Sequence, residues 1–209
     1  MIKVKSNLFN WSRYTDYADI KILKKDTVLF QQGDKANGFY YLQKGNVIIS
    51  ILREDGYERI IDFVFPGSLI GEQMINNTTS FTTAKLHADS ILYFFSRGQF
   101  EELCLVHPEV SQEFGNSLIQ KVRLLAKINS VLNAPIDVQL AFFLLNLHEK
   151  KGNETIEVNQ ITISNYIGKS RVAVWKVLKE WRNDEIIDIN NQSFVIKDIE
   201  KLRGKMKIA

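Results

Sequence analysis

The stretch that most restricts how this chain can fold runs from Glu109 to about Leu132, where no proline occurs and only Gly115 interrupts early. Bounded by Pro108 and by Asn133-Ala134-Pro135, it predicts one helix of about 24 residues, about 36 Å long. Along it Leu118, Val122, Leu125, Asn129 and Leu132 recur at alternating steps of four and three. That is the spacing of a coiled-coil seam, with the leucines at d and Val122 and Asn129 at a. A buried Asn at a single a position fixes a two-stranded parallel pairing at some cost in stability. The helix is therefore expected to be a dimer interface; the alternative is a stripe that packs on the chain's own β domain.

What flanks the helix differs on its two sides. From Ile22 to about Phe95 the texture is β, with short runs of Val, Ile, Phe and Tyr punctuated by Gly33-Asp34, Gly45-Asn46, Asp55-Gly56 and Pro66-Gly67. Turns at such regular intervals predict an antiparallel sandwich or small barrel. Asp55-Gly56 is the best hairpin turn, pairing Val47–Leu52 with Ile60–Phe65. Ser96 is placed to cap a short helix over Arg97–Leu105, closed by His107-Pro108. Beyond Pro135 come an apolar helix (Val138–His148), a short strand (Thr155–Val158), two short helices around Gly168 and a hairpin through Asn190-Asn191.

Composition removes several classes. With 45% hydrophobic residues and 27 Lys plus Arg against 24 Asp plus Glu, the chain can bury a core and is not a disordered polyelectrolyte. Its longest apolar runs, Leu140–Leu145 and Ile91–Phe95, fall far short of the roughly 18 residues of a membrane span. Met1–Ile22 lacks an apolar signal core, and the single Cys104 cannot form an internal disulfide. A soluble, cytoplasmic protein without a membrane partner is expected. Enzyme chemistry has little footing: there is no Gly-x-Ser-x-Gly, no P-loop and no metal-ligand spacing, and His87, His107 and His148 are scattered.

The informative stretch is Asn159–Lys179. Asn159 can cap a first helix, Gly168 supplies a tight turn and Ser170 caps a second helix, which is helix-turn-helix grammar. On the second helix Val174, Val177, Leu178 and Trp181 share one face; the opposite face carries Val172, Trp175, Lys176 and Lys179, with Arg171 beside it. From Asn165 to Arg182 five cations (Lys169, Arg171, Lys176, Lys179, Arg182) meet one anion, Glu180. Such a face suits a polyanion, with Lys and Arg on phosphates and a few side chains at the helix start on base edges. Gln160, Lys169, Ser170, Arg171, Val172, Trp175, Lys176 and Lys179 are the expected DNA-binding residues. Arg171 is suited to guanine and Val172 to a thymine methyl. Ile186–Ile189 and Ser193–Ile196 form a hairpin that would serve as a wing.

The chain as a whole resembles the family of the catabolite activator and the fumarate and nitrate reduction regulator (CRP/FNR). The resemblance rests on Gly33-Asp34, Phe39–Val47, Pro66-Gly67-Ser68 and Ile70-Gly71-Glu72, together with the helix-turn-helix, and spans about Ile22 to Leu202. It implies an α+β chain: an antiparallel β-roll (a cyclic-nucleotide-binding-like jelly roll) that senses an effector over residues 1–108, a long dimerisation helix over 109–134 and a winged helix-turn-helix over 135–209. It also implies a homodimeric bacterial transcription regulator on a two-fold DNA dyad, with RNA polymerase as a further partner if it activates.

The effector is where the resemblance departs from its cyclic-AMP-binding members. In them the Gly-Glu pair is followed about ten residues later by an Arg and a small hydroxyl residue that hold phosphate and ribose. Here Gly71-Glu72 is followed by Thr79-Ser80-Phe81-Thr82-Thr83-Ala84, without arginine, so a buried phosphate would lack its cation. The polar pair that meets adenine in those members falls at Leu124-Leu125. Cyclic AMP is not expected; neither is an iron-sulfur cluster with one cysteine, nor haem on His87. Gly71, Glu72, Phe81, Thr82, Leu124 and Leu125 are instead expected to line a pocket for a small apolar or aromatic acid. The halogenated-phenol-sensing regulators, which the Val172-Ala173-Val174 segment also resembles, take such a ligand. Two alternatives stand beside this: a constitutive regulator without effector, and a ligand-sensing module acting through protein partners. On the recognition helix the Arg is kept as Arg171, while Val172 replaces the catabolite activator's Glu and Lys176 its later Arg.

Overall fold

The computed structural model describes residues 9–54, 56–152, 155–156, 158–190 and 193–206. It divides into two compact units, one of the residues up to Leu52 with Asp62–Val122, the other of Arg53–Ile61 with the residues from Arg123 onward.

Eight strands build the first part: β1 (Asp19–Leu23), β2 (Val28–Phe30), β3 (Gly38–Lys44), β4 (Val47–Leu52), β5 (Glu58–Val64), β6 (Leu69–Ile70), β7 (Thr83–Leu86) and β8 (Ser90–Ser96). They form two four-stranded sheets, ordered β1-β8-β3-β6 and β2-β7-β4-β5. The β1–β8, β3–β8, β3–β6, β2–β7 and β4–β7 pairs are all antiparallel, as the turn spacing predicts. Strand alternation sorts β3 into two layers. Phe39 and Tyr41 enter an aromatic cluster with Trp11, Tyr14, Leu69, Phe95, Leu103 and Val110. Leu42, on the opposite face, joins an aliphatic one with Phe30, Val47, Val64, Ile70, Ala84, Leu86 and Leu92, drawn from both sheets. Phe39 stacks on Phe95 at 5.3 Å, and Trp11 meets both edge-on at 5.7 and 5.8 Å. Trp11 comes from a 3-10 helix over Trp11–Tyr17, which the sequence reading did not anticipate. The pairing of β4 with β5 is as expected, although β5 begins and ends earlier than Ile60–Phe65; the Asp55 half of the turn lies outside the described residues.

Helix α1 (Arg97–Val106) opens on Ser96, whose side chain accepts from the Gln99 amide while the Gln99 side chain accepts from the Ser96 amide. This reciprocal box satisfies two free N–H groups at the helix start. Helix α2 (Glu109–Val131) is continuous through Gly115. The division into the two compact units falls inside it, after Val122. Its first turns are held by the first unit, where Val110 is fully buried in the aromatic cluster. Helix α3 (Ile136–Lys151) starts at Pro135 and ends at Gly152 in the left-handed conformation, longer at both ends than Val138–His148. At the joint the buried Gln139 side chain donates to the carbonyls of Leu132 at 3.1 Å and Ala134 at 2.8 Å, satisfying acceptors that the helix end leaves free.

The remaining elements are β9 (Thr155–Ile156), α4 (Gln160–Ile167), α5 (Arg171–Asn183), β10 (Ile187–Asn190), β11 (Ser193–Ile196) and α6 (Ile199–Gly204). The strands form one sheet ordered β10-β11-β9, with Ile187 opposite Ile196 and Asn190 opposite Ser193. Residues 157 and 191 of the expected strand and hairpin turn lie outside the described residues. No helix among the described residues is long and apolar enough to cross a membrane.

Candidate nucleic-acid interface

The helix-turn-helix is set by three caps. Asn159 Oδ1 accepts from the Thr162 amide at 2.9 Å and from Thr162 Oγ1 at 3.0 Å, which starts α4. Gly168, at φ 71°, closes α4 in the left-handed region, its N–H donating to the Ser164 carbonyl at 2.8 Å; a side chain is disfavoured in that conformation. Ser170 Oγ then accepts from the Ala173 amide at 3.2 Å and starts α5.

Burial fixes which way α5 faces. Val174, Leu178 and Trp181 are buried, against a core in which α3 places Leu140, Phe143 and Leu144, with the Phe143 and Tyr166 rings 4.4 Å apart. Val177, expected on the same face, is only partly buried. The opposite face is open: Lys169, Ser170, Arg171, Lys176, Lys179 and Arg182 are exposed and Val172 is 80% exposed, while Trp175 and Gln160 are half-buried. None of these five cations has an ion-pair partner among the described residues. Unpaired cations on one rigid face, with an exposed methyl-bearing side chain at the helix start, can hold phosphates and reach base edges.

Each of the residues expected to line an effector pocket has its setting within its own unit. Gly71, at φ 84°, precedes a 3-10 turn over Glu72–Met74. Glu72 is buried, and its carboxylate accepts from Ser117 Oγ at 2.8 Å and from Lys121 Nζ. Thr82 is buried in a polar knot with Ser80 and Gln73. Phe81, expected to line the pocket, is 59% exposed. Its neighbours explain this. Ser80 Oγ donates to the Thr82 carbonyl at 2.7 Å and accepts from the Thr82 amide at 3.2 Å, so both hydroxyl residues turn inward and the ring between them turns out. Leu124 is half-buried and Leu125 exposed. The sequence reading missed Ser117 and Lys121; their one-turn spacing beside the apolar seam was the available signal. Burial pushes the Cys104 thiol pKa up, which keeps it protonated and poorly nucleophilic. Among the described residues no group of three or more His, Cys, Asp or Glu is placed to hold a metal ion.

Comparison with known proteins covers both halves. Residues 20–107 match the family described as "Cyclic nucleotide-binding domain" and residues 138–204 the "Crp-like helix-turn-helix domain". The "cAMP-activated global transcriptional regulator CRP" of Salmonella typhimurium is 24% identical over 179 residues, 81% of this chain and 85% of that one. The "HTH-type transcriptional regulator Cmr" of Mycobacterium tuberculosis is 23% identical over 199 residues, 93% of this chain and 79% of its own. In fold, FixK2 from Bradyrhizobium japonicum matches with a TM-score of 0.81 at 18% identity, covering 92% of this chain and 98% of its own. CprK in complex with OCPA matches with a TM-score of 0.72 at 18% identity, covering 93% and 92%. The curated relatives are transcription regulators rather than enzymes. With a cyclic-nucleotide-binding-like domain, a Crp-like DNA-binding domain and these relatives along most of its length, the chain belongs to the CRP/FNR family of DNA-binding transcription regulators.

Proposed function

We propose that the chain acts in the cytoplasm as a homodimer that reads a two-fold symmetric site in double-stranded DNA. Each copy lays α5 in a major groove and sets the β10–β11 hairpin against the backbone. The observation that carries this is the open face of α5, where five cations stand without ion-pair partners among the described residues. Arg171 takes a guanine edge, Val172 a thymine methyl, and Lys169, Lys176 and Lys179 take phosphates. Gln160, the first residue of α4, Ser170, which caps α5, and Trp175 complete the contact with the duplex. RNA polymerase is the further partner if the regulator activates. The dimer is supported by α2, where Leu118, Val122 and Leu125 are 39%, 65% and 49% exposed along one heptad stripe continued by Asn129 and Leu132.

For the effector, the absence of arginine from residues 79–84 speaks against cyclic AMP, and a small apolar or aromatic acid is the reading preferred. A regulator without effector is the second reading, favoured by Glu72, whose oxygens are both taken within the chain. Selection of genomic fragments by the purified, ligand-free protein at near-physiological salt tests both. One recovered dyad motif supports a dimer competent without effector. Enrichment only when apolar aromatic acids are added supports the switch, and no enrichment under either condition refutes the DNA reading.

A further inference from the structure

Glu72 is 2% exposed, and a buried carboxylate is costly unless it is both paired and hydrogen-bonded. One helix meets both needs. From α2, Ser117 Oγ donates to Glu72 Oε1 at 2.8 Å, and Lys121 Nζ donates to Glu72 Oε2 and to the Leu69 carbonyl at 3.0 Å. The turn that presents the carboxylate starts at Gly71 in the left-handed region, at φ 84°, where a Cβ would also lie 3.1 Å from the Phe30 ring. Ser117 and Lys121 lie one turn apart on α2, and the seam residues Leu118 and Val122 follow them directly, about 100° around the helix. A helix pinned at two points one turn apart cannot roll about its axis without leaving Glu72 buried and unpaired.

We propose that Glu72, Ser117 and Lys121 form a latch that fixes the rotational setting of α2, and so decides which residues the helix turns toward a second copy of the chain. The inference rests on the homodimer reading above. In this arrangement the chain supplies its own ligand to Glu72, so the setting requires no bound molecule there. All three are positioning residues and none touches DNA.

The test uses the full chain in a Cys104→Ser background, with a single cysteine at Val122→Cys or at Arg123→Cys, and compares disulfide formation between copies. With the latch intact, Val122→Cys cross-links in preference to Arg123→Cys. In Glu72→Gln/Lys121→Met, which leaves no buried unpaired charge, that preference is lost and operator affinity falls about tenfold, while Lys121→Arg retains both. A preference and affinity unchanged in the double variant overturn the latch while leaving the dimer standing. A chain that sediments as a monomer with the latch intact overturns the homodimer reading and the latch with it. A double variant that is unfolded by far-UV circular dichroism makes the pair a requirement of folding and overturns its role as a setting device.

Discussion

Replacing Lys179 and Arg171 separately by alanine distinguishes a phosphate contact from a base contact on the same helix face. In the proposed homodimer two copies of α5 would bring ten exposed cations to a dyad, five from each chain. With Arg171 assigned to a base edge and Arg182 in the last helical turn, Lys169, Lys176 and Lys179 remain for the backbone, about six phosphates per dimer. At about −0.9 per phosphate, log affinity against log salt should fall with a slope near −5, so that raising salt from about 50 to 200 mM costs roughly three orders of magnitude. Lys179→Ala removes two of those contacts, makes the slope shallower by about 2 and weakens selected and scrambled duplexes alike. Arg171→Ala leaves the slope nearly unchanged, costs about 1–3 kcal/mol per half-site on the selected duplex and relaxes base choice at one position. Fluorescence anisotropy with labelled duplexes across that salt range reads all of these. Equal losses on selected and scrambled DNA for Arg171→Ala refute the base contact. An unchanged slope for Lys179→Ala refutes the phosphate contact.

Two glycines should respond to alanine for different reasons. At Gly168 a Cβ meets nothing within 4 Å, so the cost is the left-handed backbone alone, about 1–2 kcal/mol in urea denaturation. At Gly38 it would lie 2.2 Å from the Phe95 carbonyl oxygen, a clash between two paired strands that backbone cannot relieve, and Gly38→Ala should lose more than Gly168→Ala; the reverse order would refute the packing argument. Val122→Asp puts a charge on the exposed stripe of α2 and should yield a monomer in sedimentation velocity, with operator binding lost; a dimer of undiminished affinity removes α2 as the interface. Glu109 has its pKa lowered by the backbone N–H at its own helix start, by the Tyr14 hydroxyl that donates to it at 3.0 Å and by neighbouring His107. A carboxylate lowered on folding contributes stability that is complete above its unfolded value of about 4.3 and is lost as pH falls through the folded value. Glu109→Gln should therefore flatten the acid limb of the stability profile below about pH 4.3 and leave the profile near neutrality parallel; an unaltered acid limb speaks against the pair.

Local grammar carried the parts of the fold that are decided locally. The caps at Ser96, Asn159 and Ser170, the left-handed turn at Gly168 and the proline-bounded α2 all depend on residues within a few positions of one another. Strand order does not. That β1 and β3 both pair with β8, between 47 and 75 positions later in the chain, follows from how the two sheets share side chains, and no turn spacing encodes it. The exposed basic face of α5 was legible because exposure there is the default for Lys and Arg at helical spacing. The outward setting of Phe81 was not, because it looks apolar in one dimension and is flanked by two buried hydroxyl residues. Lys121 pairs with Glu72, 49 positions earlier, a partnership that no local spacing encodes.

The side chain of Gln139, closed onto the carbonyls of Leu132 and Ala134, restrains the link between α2 and α3, which in the proposed dimer would tether each recognition helix. A slack tether would let a recognition helix search for its half-site independently of its twin and would tolerate variable spacing. A stiff one raises the effective concentration of the second recognition helix at a single distance and lowers it steeply elsewhere. Operators for this regulator should therefore be strict in spacing: adding one base pair between the half-sites should cost nearly all of the gain from the second, and an operator series differing only in that spacing would measure how stiff the tether is.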